Sequence, residues 1–394
     1  MNDIPLSVPN LNIEIVENLR ECVETGWVST GGRFIREFEE KVAKYVNIRD
    51  AVACQSGTAG LHTALRILGV EPDDEVIVPT LTFIAAVNPV KYLGAFPVFM
   101  DCDDYLCMET KKVADFCEKE CTFSNGKLFN KHSGRAIKAI VPVHIFGNLV
   151  NMEAITDIAN RYNLKVLEDA TEAMGSFWSK GEYKGRHAGT AGDMGVFSFN
   201  ANKIITTGGG GMIVSIDDAL LDKARYLTTT AKDDALYFIH DEIGYNYRML
   251  NIQAALGVSQ ISELPEFIKT KQRNYQFYKH HLDGTPGVEL MGYSDGKSTN
   301  HWFYSLLVED DPGTPAGEKR NILLKELIGQ GIQCRPVWRL AHKQKPYESE
   351  MAYKIEKAEY YELHIINIPC STNITECEME FVCDIIKRFC TERT

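Results

Sequence analysis

Ala51-Val52-Ala53-Cys54-Gln55-Ser56-Gly57-Thr58-Ala59-Gly60-Leu61-His62-Thr63-Ala64-Leu65 runs a strand signal, a turn and a helix signal together without a linker. The apolar run Ala51–Cys54 has the length of a buried strand. Ser56, Gly57 and Thr58 are the small and hydroxyl-bearing residues of a tight turn. Over residues 58–68, Ala59, Leu61, Ala64, Leu65 and Leu68 recur at helical spacing. A helix entered this abruptly directs its first N–H groups, and the positive end of its dipole, at one spot that suits a phosphate. The same turn also serves as an ordinary helix cap by Ser56 or Thr58.

Outward from this unit the alternation continues. Apolar runs at 75–78, 97–100, 137–143, 165–167, 195–199 and 212–216 read as strands, and 83–93 and 152–162 read as helices. Such alternation predicts an α/β fold with a mostly parallel central sheet sandwiched by helices. Residues 107–135, charged and carrying Ser124-Asn125-Gly126, read as a surface excursion. The pattern changes near Pro265: a polar helix at 266–282 leads to a strand at 303–308 and helices at 319–327 and 376–389. This predicts a large domain over 1–264, whose first residues lie near a substrate, and a smaller C-terminal α+β domain over 265–394.

With 394 residues the chain has ample material for two cores. Its formal net charge of -12 argues against nucleic-acid or acidic-membrane binding, which requires a basic face. The 11 cysteines are scattered without a CxxC pair, so neither a zinc site nor a redox dithiol is expected, and no metal is assigned. Neither a secretory leader nor a membrane-spanning run is recognisable, and reduced thiols in a cytoplasmic protein are the expectation.

Three features carry chemistry. Lys203 follows Ser198-Phe199-Asn200-Ala201-Asn202 and precedes Thr206-Thr207 and the glycines 208–211, a placement unusual for a solvated surface lysine. Asp169 ends the apolar run 165–167, where α/β proteins place ligand-binding groups, although an aspartate there can equally cap a helix. The third is the Ser56-Gly57-Thr58 turn. A lysine amine for a Schiff base, a carboxylate for a pyridine nitrogen and a phosphate turn are together the parts that pyridoxal 5'-phosphate requires. Glu172, three residues beyond Asp169, shares its side if the chain turns helical, and reaches the cofactor's phenolic oxygen. Two anions in contact there predict a shared proton and a raised Glu172 pKa. The glycines 208–211 lack the Gly-Lys-Ser/Thr ending of a P-loop; their use is a close approach of backbone to the cofactor.

With these residues in view, the chain resembles the fold-type I pyridoxal-phosphate aminotransferases of the DegT/StrS type, which act on nucleotide-linked keto sugars. The resemblance runs through Gly26-Trp27-Val28-Ser29, Phe38-Glu39, Ser56-Gly57-Thr58-Ala59, Leu81-Thr82-Phe83, Glu168-Asp169-Ala170, Phe197-Ser198-Phe199, Asn202-Lys203, 208–211 and Gly244-Tyr245-Asn246-Tyr247-Arg248-Met249. It implies Lys203 as the Schiff-base lysine, Asp169 as partner of the ring nitrogen, Glu172 at the phenolic oxygen and Phe83 stacked on the ring, where the residue pattern alone makes Phe83 a core residue. It further implies phosphate contacts from Gly57, Thr58 and Ser198, and from Asn246 of a neighbouring subunit, hence a homodimer with shared sites. Many members carry Gly-Glu-Gly-Gly where this chain has glycine throughout 208–211. The family's 3-dehydratases replace the lysine by histidine, so Lys203 favours amine transfer.

Ile4-Pro5-Leu6-Ser7-Val8-Pro9, Arg335-Pro336-Val337-Trp338 and Ala341-His342-Lys343-Gln344 look like the legionaminic-acid-type subgroup. That implies transfer of an amine from L-glutamate to C4 of a UDP- or GDP-linked 2-acetamido-4-keto-2,6-dideoxyhexose, with pyridoxamine phosphate formed between the two halves of the reaction. An anionic nucleotide needs cationic or amide partners, and Ser29, Thr30, Arg248, Arg335 and His342 are the candidates. His301 and Trp302 are read as packing of the small domain rather than as pocket lining. The competing readings are amination at C3, a pyridoxal-phosphate dehydratase, and a non-catalytic regulatory protein of the same fold.

Overall fold

The computed structural model describes residues 3–234 and 236–391. Its centre is a ten-stranded sheet whose main path runs Ala51–Cys54, Gly211–Val214, Met194–Ser198, Lys165–Asp169, Ala136–Ile140, Glu75–Pro79, Phe96–Met100 and Ala352–Tyr353. The first two junctions are antiparallel and the remaining five parallel, as the alternation of strands and helices predicts. Ala51–Cys54, Glu75–Pro79, Met194–Ser198 and Gly211–Val214 are buried at every position, which is why they read as largely apolar runs; Ile365–Ile368 of the second sheet, equally buried, is absent from the strands that the pattern predicts.

Three expectations are corrected. Residues 107–135 are no surface excursion: helix Thr110–Lys119 leads into a hairpin, Cys121–Ser124 with Lys127–Asn130, whose second strand pairs with Ala136–Ile140. Their charges lie outside while Val113, Phe116, Cys117 and Leu128 are buried, so composition alone misreads them. The helix expected over 83–93 is a 3-10 turn, Ile84–Ala86, and a short helix, Asn88–Tyr92. Pro89 sits in the first turn of that helix, where its missing N–H costs nothing, and so it starts a new element. The helix expected to begin at 266 begins at Asn251 and runs to Leu282 through Pro265. Ala254, Ala255, Val258, Ile261 and Leu264 are buried on it against helices Glu14–Thr25 and Arg33–Tyr45, and this packing outweighs the bond lost at the proline.

The point between residues 264 and 265 therefore lies within a helix that serves both parts of the molecule. Beyond it stands a four-stranded antiparallel sheet, ordered Val288–Leu290, Tyr304–Val308, Ile365–Ile368, Arg335–Pro336, with helices Glu318–Gly329 and Glu376–Thr391. The N-terminal segment lies against this small sheet: Ile4 bridges Ile332, and the Leu6 carbonyl accepts from the Cys370 N–H at 2.8 Å.

The opening turn is fixed by close backbone approach. A Cβ on Gly211 would stand 2.6 Å from the carbonyl carbon and oxygen of Ser56 and 2.8 Å from the Gly57 nitrogen, all main-chain atoms. Gly211→Ala is accordingly expected to lower stability by about 1–3 kcal/mol through overpacking. Thermal unfolding of the protein without added cofactor measures this, and an unchanged midpoint would mean that the strand can shift away freely.

Candidate active site

At the carboxyl ends of the parallel strands a cavity of about 350 Å³ opens between the large sheet and the C-terminal part. Gly57, Thr58, Phe83, Asp169, Glu172, Ser198 and Lys203, separated by up to 146 residues of sequence (57 to 203), all line it. The Ser56 side chain caps helix Gly57–Ile67 by accepting from the Ala59 N–H at 3.1 Å. Gly57 is pressed against the neighbouring strand, since a Cβ there would lie 3.0 Å from both Ser198 Cβ and Thr171 Cγ2.

Asp169 and Glu172 are held by main chain. The Asp169 carboxylate accepts from the Thr171 N–H at 3.0 Å, and Glu172 Oε2 accepts from the Phe146 N–H at 2.9 Å. Lys203 lines the same cavity, and its Nζ lies 3.6 Å from Glu172 Oε1. Burial raises the Asp169 pKa, partly offset by its bonds to Thr171 and the nearby Lys203 charge. Burial likewise pushes Glu172 up to about 7, against the attraction of Lys203. The raised Glu172 was expected from repulsion by a cofactor anion; removal from water already suffices. Burial lowers the Lys203 pKa, opposed first by Glu172 and then by Asp169.

Neighbouring Glu168 is occupied differently. Its carboxylate accepts from His144 Nε2 at 2.8 Å and from the N–H groups of Gly189, Ala191 and Gly192 at 2.6–3.0 Å. His144 Nδ1 accepts from the Val150 N–H at 3.1 Å, which places the ring proton on Nε2. Glu168 thus ties down the loop beside the strand end and leaves Asp169 as the group that faces the cavity.

The other expected residues stand apart from the cavity within one chain. Asn246 is exposed and bridges Thr229. Arg248 bridges Cys54, and its buried Nε has no hydrogen-bond partner among the described residues. Ser29 and Thr30 lie in a turn whose Ser29 carbonyl accepts from the Asn251 N–H at 2.6 Å. Arg335 is exposed on the small sheet with its guanidinium on the Cys334 carbonyl at 2.8 Å, and His342 Nδ1 lies 2.5 Å from Thr80 Oγ1. Gly209, second of the four glycines 208–211, lines the cavity, and its carbonyl accepts from Gln253 Nε2 at 2.6 Å.

One reading is overturned. Trp302 does not merely pack the small sheet: it lines the cavity, with Lys203 Nζ 3.8 Å from its ring centroid. His301 does pack, against Tyr293 and Tyr275 at 3.9 and 5.0 Å between ring centroids. Sequence reasoning also missed Thr171, Asn202, Phe303 and Trp338 as lining residues. Asn202 was signalled by adjacency to Lys203; Trp338 carried no chemical signal of its own.

These residues fit pyridoxal phosphate. The close-pressed Gly57 turn admits no side chain, leaving room for a phosphate beside Thr58 and Ser198, while a buried carboxylate and a buried amine stand elsewhere in the same cavity. Among the described residues no group of His, Cys, Asp and Glu is arranged to hold a metal ion.

The profile described as the DegT/DnrJ/EryC1/StrS aminotransferase family matches residues 9–387. GDP-perosamine synthase of Caulobacter vibrioides is 36% identical over 97% of this chain and 98% of that one. GDP-perosamine synthase of Escherichia coli O157:H7 is 36% identical over 100% of both. The crystal structure of the aminotransferase TlmJ from Streptoalloteichus hindustanus matches with a TM-score of 0.88 at 25% identity, over 100% of both chains.

The raised Glu172 carries a signed pH dependence. With a folded value near 7 against an ordinary 4.5, its contribution to stability is full below about 4.5 and lost as pH rises through 7. Lys203 acts with the opposite sign, between its lowered value and 10.5. In the protein without cofactor, Glu172→Gln is therefore expected to flatten the decline of the unfolding midpoint between pH 5 and pH 7.5. Parallel profiles for the two proteins would show that Glu172 is already ionised at pH 5.

Proposed function

Because the chain belongs to the DegT/DnrJ/EryC1/StrS aminotransferase family, we propose that it transfers an amino group from L-glutamate to C4 of a nucleotide-linked 2-acetamido-4-keto-2,6-dideoxyhexose. It is a nucleotide-sugar aminotransferase, and its cofactor is pyridoxal 5'-phosphate. The observation that carries the proposal is the juxtaposition of Lys203, Glu172 and Asp169 in one cavity with the Ser56–Thr58 turn.

When bound, the cofactor supplies an electron sink that lets a proton leave the carbon bearing the amine. The chain's own residues do the rest. Gly57, Thr58 and Ser198 would receive the phosphate, and Asp169, withdrawn from water, would hold a proton on the ring nitrogen. Glu172 shares a proton at its carboxyl. Lys203 Nζ, with its pKa lowered by burial, would take the proton from the donor's α-carbon and deliver it, on the same face, to the cofactor carbon bonded to the amine nitrogen. In the second half the same amine runs the transfer in the reverse sense toward the sugar carbon.

C4 is supported by the two GDP-perosamine synthases, since perosamine is a 4-amino sugar. The 2-acetamido group rests on the resemblance of the N-terminal stretch and of 335–344. The same two relatives favour a second reading, a GDP-linked 4-keto-6-deoxyhexose with a free 2-hydroxyl. Cytoplasmic placement belongs to the proposal too: all 11 cysteines are free, and no described helix is long and apolar enough to cross a membrane.

A homodimer with shared sites completes the proposal. Leu236, Tyr237, Phe238 and Ile243 are 69–88% exposed on the loop that precedes Asn246, a patch that a second copy would cover.

Two experiments test this reading. The visible band of the cofactor-loaded protein should bleach on adding glutamate, with 2-oxoglutarate released, and the product of UDP- and GDP-linked keto sugars with and without 2-acetamido then identifies the acceptor. Lys203→Ala should retain cofactor while losing both half-reactions by several orders of magnitude; substantial turnover in it defeats the assignment. For the shared site, Lys203→Ala and Asn246→Ala, each impaired alone, should regain about a quarter of wild-type activity when mixed and allowed to exchange subunits. No recovery, with exchange shown by mass, would place Asn246 outside the partner's site.

A further inference from the structure

We propose that Trp302, supplied by the small C-terminal part, is a positioning residue for Lys203: its indole face covers one side of the amine and keeps it directed into the cavity. This rests on Lys203 being the proton-carrying lysine. The ring lies 3.8 Å from Nζ, and Glu172 stands on the amine at 3.6 Å, so two of its sides are taken by groups that attract a cation.

Ordinary packing does not account for how firmly this ring is held. Trp302 is 2% exposed, and each of its polar groups is engaged. Its indole Nε1–H donates to the Asn202 carbonyl at 2.8 Å, immediately before Lys203 in the chain. Its main-chain N–H donates to Asn300 Oδ1 at 3.0 Å, and its carbonyl accepts from the buried ammonium of Lys271 at 2.8 Å. Phe303 stacks on it with ring centroids 4.1 Å apart and planes 10° from parallel.

The brace closes on the other side of the lysine as well. Asn300 Nδ2 donates to the Glu172 carbonyl at 2.9 Å and to the Met174 carbonyl at 3.0 Å. One asparagine therefore links the backbone of Glu172 to the backbone of Trp302, and both side chains meet Lys203. Asn300 thus ties the two groups to each other directly, in addition to the bonds that hold each separately, which is the construction expected of a holder for the amine between them.

The test uses cofactor-free and cofactor-loaded protein. Labelling of Lys203 by acetic anhydride in the cofactor-free chain, read by peptide mass spectrometry at fixed pH, reports access to the amine. Trp302→Leu should be labelled several-fold faster, and with cofactor bound should bleach with glutamate roughly ten-fold slower at near-normal cofactor affinity. Trp302→Phe, which keeps a ring face, should restore most of both. Labelling and bleaching of Trp302→Leu at wild-type rates would overturn the proposal, as would a Trp302→Phe no better than Trp302→Leu.

Should Trp302→Leu fail to fold, replacing the tryptophans by fluorinated analogues weakens the ring face with little change of shape. Labelling should then rise stepwise with fluorination, and a flat series would overturn the proposal. Because labelling requires no cofactor, failure here is distinct from failure of the transaminase reading, which activity in Lys203→Ala would reveal.

Discussion

Taking two carboxyls and an amine out of water around one cavity is the constraint around which this molecule is arranged. Each charge alone is costly to bury, and the trio holds together because each group has something fixed to lean on. Phe146 and Thr171 offer main-chain N–H groups to the acids, and the lysine has Glu172 and the Trp302 ring. The contrast with Glu168 is instructive. One position before Asp169, it is equally buried, yet its oxygens are taken by His144 and three N–H groups. Adjacent acids in one strand thus divide the work: one ties down a loop, and the other is left with capacity for a ligand.

What the sequence made legible follows from where each signal is local. The strand, the turn and the helix at 51–67 share one short stretch, so their junction can be read directly. Asp169 declares itself by ending an apolar run, and Lys203 by standing between a strand and four glycines. Trp302 and Trp338 offer nothing of the kind, because their place at the cavity comes from the way the small sheet docks on the large one. A residue whose role is made by docking leaves no spacing to find. Phe83 shows the converse, since its pattern reads as core while it is 53% exposed at the cavity.

The same distinction explains the elements that differ. Pro265 is a local stop signal, overruled by the apolar face of 251–264 against two other helices. The charges of 107–135 are local too, and they conceal an inner face that adds a hairpin to the sheet. In both cases a few buried side chains decide, and their partners lie far away in the chain.

The outermost strand of the large sheet, Ala352–Tyr353, lies beside Phe96–Met100 and comes from near the end of the chain. During synthesis the sheet is thus without this edge until residues 352–353 have left the ribosome, about 250 residues after the strand they cover. Until then the face of Phe96–Met100 that will receive residues 352–353 has its main-chain groups available to any extended peptide. The two-residue length of the final strand suits its position: it closes the edge while offering the next chain almost no ladder to extend.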